Sequence, residues 1–293
     1  MHFQANTDSQ PGDAVLICDC GGGTVDITTY TIRAVSPQLE FDELLVGEGG
    51  KCGSTYIDCQ FHEWMSNRFG AAFDQLSFEK KGPGSRFMMG FEGLKRDFGF
   101  NNEASAIYDV TLVMPGVESS EYYDATEQQV KLHREDLEGF FRPVVSKVLD
   151  LLRQQTRQAQ VEKGCQINKI VLVGGFGDSR YLNDEIRAWS STQGGIKVLC
   201  PENPYVLQFR KRLLPVSNWR SSYRQAAIVM GAALRGLGGI RPKLKLCRRH
   251  YGFQLDTVFD PSEDDPRHMY VSPLDKTKRV RGSMVWPLQT VSL

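Results

Sequence analysis

The segment AVLICDCGGGTVDITTYTI, Ala14 to Ile32, limits the fold more than any other stretch of the chain. It sets three consecutive glycines between two β-branched, apolar runs, with Asp19 before them and Asp26 after. Residues 14–18 and 25–32 read as strands joined by a glycine turn. Gly21, Gly22 and Gly23 can adopt positive φ and bring backbone N–H groups against a ligand with no side chain in the way. Successive exposed amides form a concavity suited to an anion, and Thr24 adds a hydroxyl donor. Two carboxylates fit beside a phosphate when a hydrated divalent cation lies between, because Mg²⁺ keeps several waters and takes one or two carboxylates plus phosphate oxygens. Asp19 also stands where a carboxylate would orient an attacking water. Taken alone, the segment reads equally as a glycine-rich hairpin that needs only its φ angles.

A second glycine turn shifts that balance. In INKIVLVGGFGDSRYLNDEIRAW (167–189), Gly174 and Gly175 follow a buried strand, and an amphipathic helix begins near Ser179, with Leu182, Ile186 and Trp189 on its inner face. Ligands of α/β folds sit where strand ends meet helix N-termini. The segment has neither the G-x-G-x-x-G order of a dinucleotide fingerprint nor the G-K-[ST] of a P-loop. Two glycine clamps so far apart in sequence point to one bilobal site assembled from distant segments.

Between and beyond the clamps the pattern alternates. FDELLVGEGG (41–50) reads as a short strand ending in a glycine turn. Ile57, Phe61, Trp64 and Met65 recur at helical spacing, with Thr55 and Asp58 as a capping box. A helix over 85–98 puts Phe87, Phe91, Leu94 and Phe98 on one face and Glu92, Lys95 and Arg96 on the other. Residues 106–114 return to strand. A helical segment over 134–160 carries Leu137, Phe141, Val144, Val148 and Leu151 on its buried stripe, and Pro143 is expected to bend or divide it. A further helix is expected near 222–237, and HYGFQLDTVF and RVRGSMVWPL read as strands of a β-rich tail. Strands mixed with helices in this order indicate an α/β core.

Composition removes several classes of function. Lys plus Arg equals Asp plus Glu at 35 each, so no global basic field draws the chain to nucleic acid or an anionic membrane. No apolar run approaches the ~20 residues of a membrane span. Seven scattered cysteines suit reduced thiols of the cytosol or nucleus, and Cys18 and Cys20 have no second pair at zinc-ligand spacing. The five histidines form no H-x-x-x-H pair, and no G-x-S-x-G elbow is present.

LICDCGGGTVDITTY resembles the second phosphate motif of the seventy-kilodalton heat-shock proteins, within the actin, hexokinase and heat-shock ATPase superfamily. INKIVLVGGFGDSRYL resembles the adenosine motif of that family, GFEGLKRDFGF its adenosine-contacting helix, and GEGGKCGSTYID the segment leading into its upper subdomain. These four motifs stand in family order over most of residues 14–240, and their wording is nearest a divergent A12-like eukaryotic branch without the standard peptide-binding domain.

The resemblance implies the second lobe of an actin-like (ribonuclease H-like) ATPase domain. Its core would span 14–50 and 165–240, with an inserted α+β upper subdomain over 51–164, a polar segment at 1–13 and a short β-rich tail at 241–293. It implies ATP or ADP with Mg²⁺ as ligand, a chaperone-related ATPase in the complete family member, client or co-chaperone proteins as partners, and a cytoplasmic or nuclear setting. By motif, Asp19 would act on the magnesium-bound or attacking water, with Asp26 further from the metal. Gly21, Gly22, Gly23 and Thr24 would hold the β- and γ-phosphates. Glu92, Lys95, Arg96, Gly174, Gly175, Phe176 and Asp178 would line the adenosine pocket. Glu92 with Lys95 or Arg96 also fits a plain surface ion pair, worth only about 0.2–0.5 kcal/mol.

Two departures stand out. Phe176 and Asp178 occupy places where the family carries a serine and a base-stacking arginine. No D-x-G-T-T hairpin or lysine-bearing first lobe precedes Ala14, so the chain reads as a second lobe alone, a fragment or a shortened product. Phosphoryl transfer needs charge stabilisation from all sides, so weak nucleotide binding and little or no hydrolysis are expected. The alternatives are a nucleotide-independent interaction module that keeps the fold, and part of a sugar-kinase-like ATPase, which would share the glycine clamps but not the FEGLKR helix.

Overall fold

The computed structural model describes residues 9–36, 39–100, 103, 105–200, 251–273 and 275–288. The chain divides into two compact units, Met1–Lys243 and Leu244–Leu293. The first unit is built on β1 (Ala14–Cys20), β2 (Val25–Ala34) and β3 (Glu40–Gly50). The helices α1 (Thr55–Phe69), α2 (Ala71–Asp74), α3 (Phe78–Lys81) and α4 (Arg86–Asp97) follow. Next come β4 (Ile107–Thr111), β5 (Tyr123–Asp124), β6 (Gln129–His133), α5 (Arg134–Lys163), β7 (Lys169–Val173), α6 (Arg180–Ser191) and β8 (Lys197–Leu199). The second unit is a three-stranded antiparallel sheet of β9 (Tyr251–Val258), β10 (Met269–Val271) and β11 (Lys278–Leu288), in the order β10-β11-β9.

The main sheet has the order β3-β2-β1-β7-β8. The β1–β2 and β2–β3 pairs are antiparallel, and β1–β7 and β7–β8 are parallel. This mixed α/β architecture is compatible with an actin-like fold. Side chains alternate between faces with period two. Leu16, Cys18 and Cys20 of β1 are therefore buried together, and so are Val25, Ile27 and Thr29 of β2. The helix α5 lies against β2 and β3, and α6 touches both α5 and β8.

A second antiparallel sheet, in the order β4-β6-β5, packs through β4 on α4. Between α1, α4 and α5 the core is aromatic. Phe61 stacks on Phe91 with centroids 3.9 Å apart and touches Phe87, Trp64 and Phe140. Burial of each such ring contributes about 1.5–3 kcal/mol.

Several sequence expectations require correction. The residues 41–50 are not a short strand ending in a turn, because β3 runs for 11 residues and Gly49 and Gly50 remain in register with Asp26 and Val25. Pro143 does not divide the long helix: α5 is one element of 30 residues. Its buried stripe takes Leu152 rather than Leu151, which is half-buried. The capping box at Thr55 does not form, because Ser54 holds the N-cap position and the Thr55 hydroxyl is used elsewhere. Leu94 of α4 is only half-buried, while Lys95, expected on the outer face, is buried. The helix expected near 222–237 lies outside the described residues. Among the described residues, no helix is long and apolar enough to cross a membrane.

Candidate functional site

Both glycine turns leave the same end of the main sheet. Gly21–Thr24 follows the C-terminal end of β1, and Gly174 follows that of β7, with Asp19 in register beside Val173. Gly174 adopts φ +84°, and a Cβ built there would lie 2.4 Å from the Cys20 carbonyl oxygen and 2.5 Å from Asp19 Oδ1. The second turn is therefore seated directly on the Asp19 carboxylate. Only glycine fits, because the backbone is left-handed and the space is occupied.

Asp19 and Asp26 are cross-strand partners in the β1–β2 register, so their side chains share one face. That face is opposite the one carrying Thr29, which bonds to α5. Gly49 is the partner of Asp26 on β3, and a Cβ there would meet Asp26 Oδ1 at 2.6 Å. The two carboxylates are thus lined up across adjacent strands beside a bare glycine. Burial, and then the neighbouring Asp26 charge, pushes the Asp19 carboxyl above the ordinary range. Among the described residues, no group of three or more His, Cys, Asp or Glu side chains is arranged to hold a metal.

The first turn corrects one expectation outright: none of Gly21, Gly22 and Gly23 takes a left-handed φ. Its conformation is set by α1. Ser54 N–H donates to the Gly21 carbonyl at 3.2 Å, Thr55 N–H to that of Gly22 at 2.9 Å, and Gly53 N–H to that of Gly23 at 3.3 Å. The Thr55 hydroxyl adds a second bond to Gly22 O at 2.8 Å. In a trans peptide the N–H points opposite to the C=O of the same plane. With three successive carbonyls committed to α1, the amides of Gly22, Gly23 and Thr24 face the other way, and they have no partner among the described residues.

Glycine is not required sterically at two of these positions. A Cβ on Gly23 would meet nothing within 4 Å, and one on Gly22 only Thr55 Cγ2 at 3.9 Å. The steric demand falls instead on Gly53, whose Cβ would lie 2.3 Å from Gly22 O. Thr24 does not offer a free hydroxyl, since it donates to Asp26 Oδ2 at 3.1 Å.

The α4 residues are paired with one another. Lys95, 6 % exposed, lies 2.6 Å from Glu92 and 2.7 Å from Asp58 of α1, and Arg96 bonds Glu92 at 3.1 Å. The C-terminal end of α4 abuts the start of α6: Phe98 stacks on Tyr181 at 5.2 Å, and a Cβ on Gly99 would strike Tyr181 N at 2.9 Å. Contacts therefore link α4 both to α1, which seats the first turn, and to α6, which follows the second.

Gly175 begins the 3₁₀ turn Phe176–Asp178, with Asp178 half-buried in it. The Phe176 ring is 5 % exposed and part of the hydrophobic core, so it is not presented as a stacking platform. The glycines before it let the chain fold this ring inward.

Sequence reasoning missed Gly49 and Gly53, and it gave Asp58 only a capping role. The G-G and C-G-S-T wording was visible, but the neighbours that make these glycines necessary lie more than twenty residues away. A separate groove of about 830 Å³, lined by Arg153, Arg157, Gln160, Gln166, Trp189 and Ile196 among others, contains none of the expected site residues. Gln166 precedes β7 and Ile196 precedes β8, so this groove lies at the opposite strand ends from Gly174.

No family model matches the chain. Curated proteins do resemble it. Human heat shock 70 kDa protein 12B is 23 % identical over 216 residues, which is 67 % of this chain and 30 % of that protein. Human heat shock 70 kDa protein 12A is 22 % identical over 219 residues, 67 % of this chain and 31 % of that protein. Mouse heat shock 70 kDa protein 12A is 22 % identical over 203 residues, 62 % of this chain and 29 % of that protein. The chain thus spans about 30 % of the length of the curated relatives it matches.

Proposed function

Starting from this distant relation to the seventy-kilodalton heat-shock proteins of the 12A and 12B type, we propose that the chain binds a magnesium nucleotide at the shared end of β1 and β7. In this reading the chain is the second lobe of an actin-like nucleotide-binding domain, with 51–164 as its upper subdomain and a chaperone-related ATPase as the complete protein.

The observation that carries the proposal is the orientation of the first turn. Three consecutive carbonyls are turned into α1, leaving the amides of Gly22, Gly23 and Thr24 on the outer side, where they suit phosphate oxygens. Gly22 and Gly23 lack side chains that the fold would tolerate, which suits close approach of a ligand to the backbone. Asp19 and Asp26 repel each other across the strand pair, and a hydrated divalent cation would relieve that repulsion. Magnesium would supply charge neutralisation between these carboxylates and the phosphates. Glu92, Lys95 and Arg96 of α4, with Gly174 and Gly175, are assigned to the nucleoside end.

Isothermal titration of Mg-ADP into the wild-type chain and Asp19→Ala tests the proposal. Binding by the wild type that is lost in the variant supports it; equal heats for the two proteins argue against it.

The second reading is an interaction module that retains the fold without nucleotide. The mutual pairing of Glu92, Lys95 and Arg96 and the burial of Phe176 favour it, since these groups are already satisfied by the protein. It predicts no thermal shift with any nucleotide.

A further inference from the structure

Resting on the nucleotide reading above, we infer that Asp58 is the positioning residue of the nucleoside end: it holds the Lys95 ammonium in place and ties α4 to the helix that seats the glycine turn. Lys95 has three N–H donors. One meets Asp58 Oδ1 at 2.7 Å and one meets Glu92 Oε2 at 2.6 Å, which leaves one donor without a partner among the described residues, and that donor is assigned to the ligand. Glu92 lies on the same helix as Lys95 and is 43 % exposed, so it cannot fix the ammonium relative to anything outside α4. Asp58 can, because it belongs to the first turn of α1 and is better shielded, at 25 % exposed.

The same turn of α1 begins with Ser54 and Thr55, whose donors hold the carbonyls of Gly21 and Gly22. Residues three apart on a helix face one another across about 5–6 Å. Thr55 and Asp58 therefore form one short rigid strut, with the glycine turn at one end and Lys95 at the other. Among the described residues, the ion pair of Arg96 is with Glu92 of its own helix, which gives it no such link to α1.

Beneath this rim, α1 and α4 are joined by Phe61, Phe87 and Phe91, all but fully buried. That apolar seam holds the helices together whether or not the ion pair exists. Asp58 thus sets the direction of the ammonium rather than the packing of the helices. Charge, not shape alone, is required at this position, because an amide lacks the second acceptor oxygen and the attraction to the ammonium.

The test compares two ligands on the full chain and on Asp58→Asn and Asp58→Glu. Mg-ADP engages both ends of the site, and Mg-pyrophosphate only the phosphate end. Asp58→Asn should weaken Mg-ADP about tenfold, the value of one charge-assisted hydrogen bond, and leave Mg-pyrophosphate within about twofold. Asp58→Glu should recover part of the loss. A parallel loss for both ligands, or unchanged Mg-ADP affinity, overturns the inference, because the first marks a general structural effect and the second no effect. A wild-type chain that binds neither ligand overturns the nucleotide reading and this inference together. A wild type that binds both ligands, with Asp58→Asn unaltered, overturns this inference alone.

Discussion

The Thr29 hydroxyl donates to Gln155 Oε1 at 2.8 Å between two residues with no solvent exposure, joining β2 to the C-terminal half of α5. Gln155 Nε2 reaches on to the Val46 carbonyl of β3 at 3.3 Å, so one amide ties the long helix to two strands. A buried polar contact of this kind costs most when only half of it is removed. Gln155→Leu should destabilise the chain by about 1–3 kcal/mol, and the Thr29→Val/Gln155→Leu double variant should recover the part of that loss due to the stranded Thr29 hydroxyl, the Val46 carbonyl remaining without its Gln155 donor. Urea unfolding of the four proteins measures the coupling, and strictly additive losses would contradict it.

Gly174 is predicted to be intolerant of any side chain. Gly174→Ala combines a left-handed backbone with overlaps on the Cys20 carbonyl and the Asp19 carboxylate. It should cost about 1–3 kcal/mol and displace Asp19. Thermal unfolding checks the first effect. A stability equal to wild type would show that the second turn does not rest on β1 as described.

Gly23→Ala provides the opposite case. A Cβ at this position meets nothing, and the backbone is not left-handed, so stability should stay within about 0.5 kcal/mol of wild type. Under the nucleotide reading, the new methyl crowds the approach to the Gly23 and Thr24 amides. Mg-pyrophosphate binding should fall while Tm is preserved. Undiminished binding would remove the turn from the ligand site.

Asp19 carries a pH signature. Burial first, and the Asp26 charge second, raise its carboxyl pKa in the folded state. The folded chain therefore holds this proton more tightly than the unfolded chain does. The resulting stabilisation is complete below the usual carboxylate range and is lost as pH climbs through the raised value. At neutral pH the ionised Asp19 is a net burden, so Asp19→Asn should raise Tm at pH 7 and give a smaller gain in acid. Mg-ADP affinity of the wild type should decline as the pH falls through that raised value, since proton and cation compete for one carboxylate. Calorimetric scans of both proteins at several pH values, with titrations alongside, test the pair. A lower Tm for Asp19→Asn at pH 7 would refute the sign.

Much of the local structure was legible from residue order. The strands about the glycine turn, the helix over 180–191 with Leu182, Ile186 and Trp189 inward, and the long helix all follow from hydropathy period and glycine placement. Lys95 shows where that method stops. Helical periodicity assigns a charged residue to the outer face, and it takes Asp58, 37 positions away in sequence, to give the ammonium a partner beyond its own helix where it is buried. The position of Phe176 has the same origin: hydropathy marks the ring as apolar without saying whether it faces a ligand or the core.

For this protein, the amino-acid order alone determined which segments extend and which coil, and where side chains are absent, because those properties depend on neighbours a few positions apart. The tertiary structure decided which way the bare backbone faces. The amides of Gly22, Gly23 and Thr24 turn outward because Gly53, Ser54 and Thr55 take the carbonyls from the other side. A hydrogen bond between segments some thirty residues apart exists only after the chain has packed, so no local pattern encodes its direction.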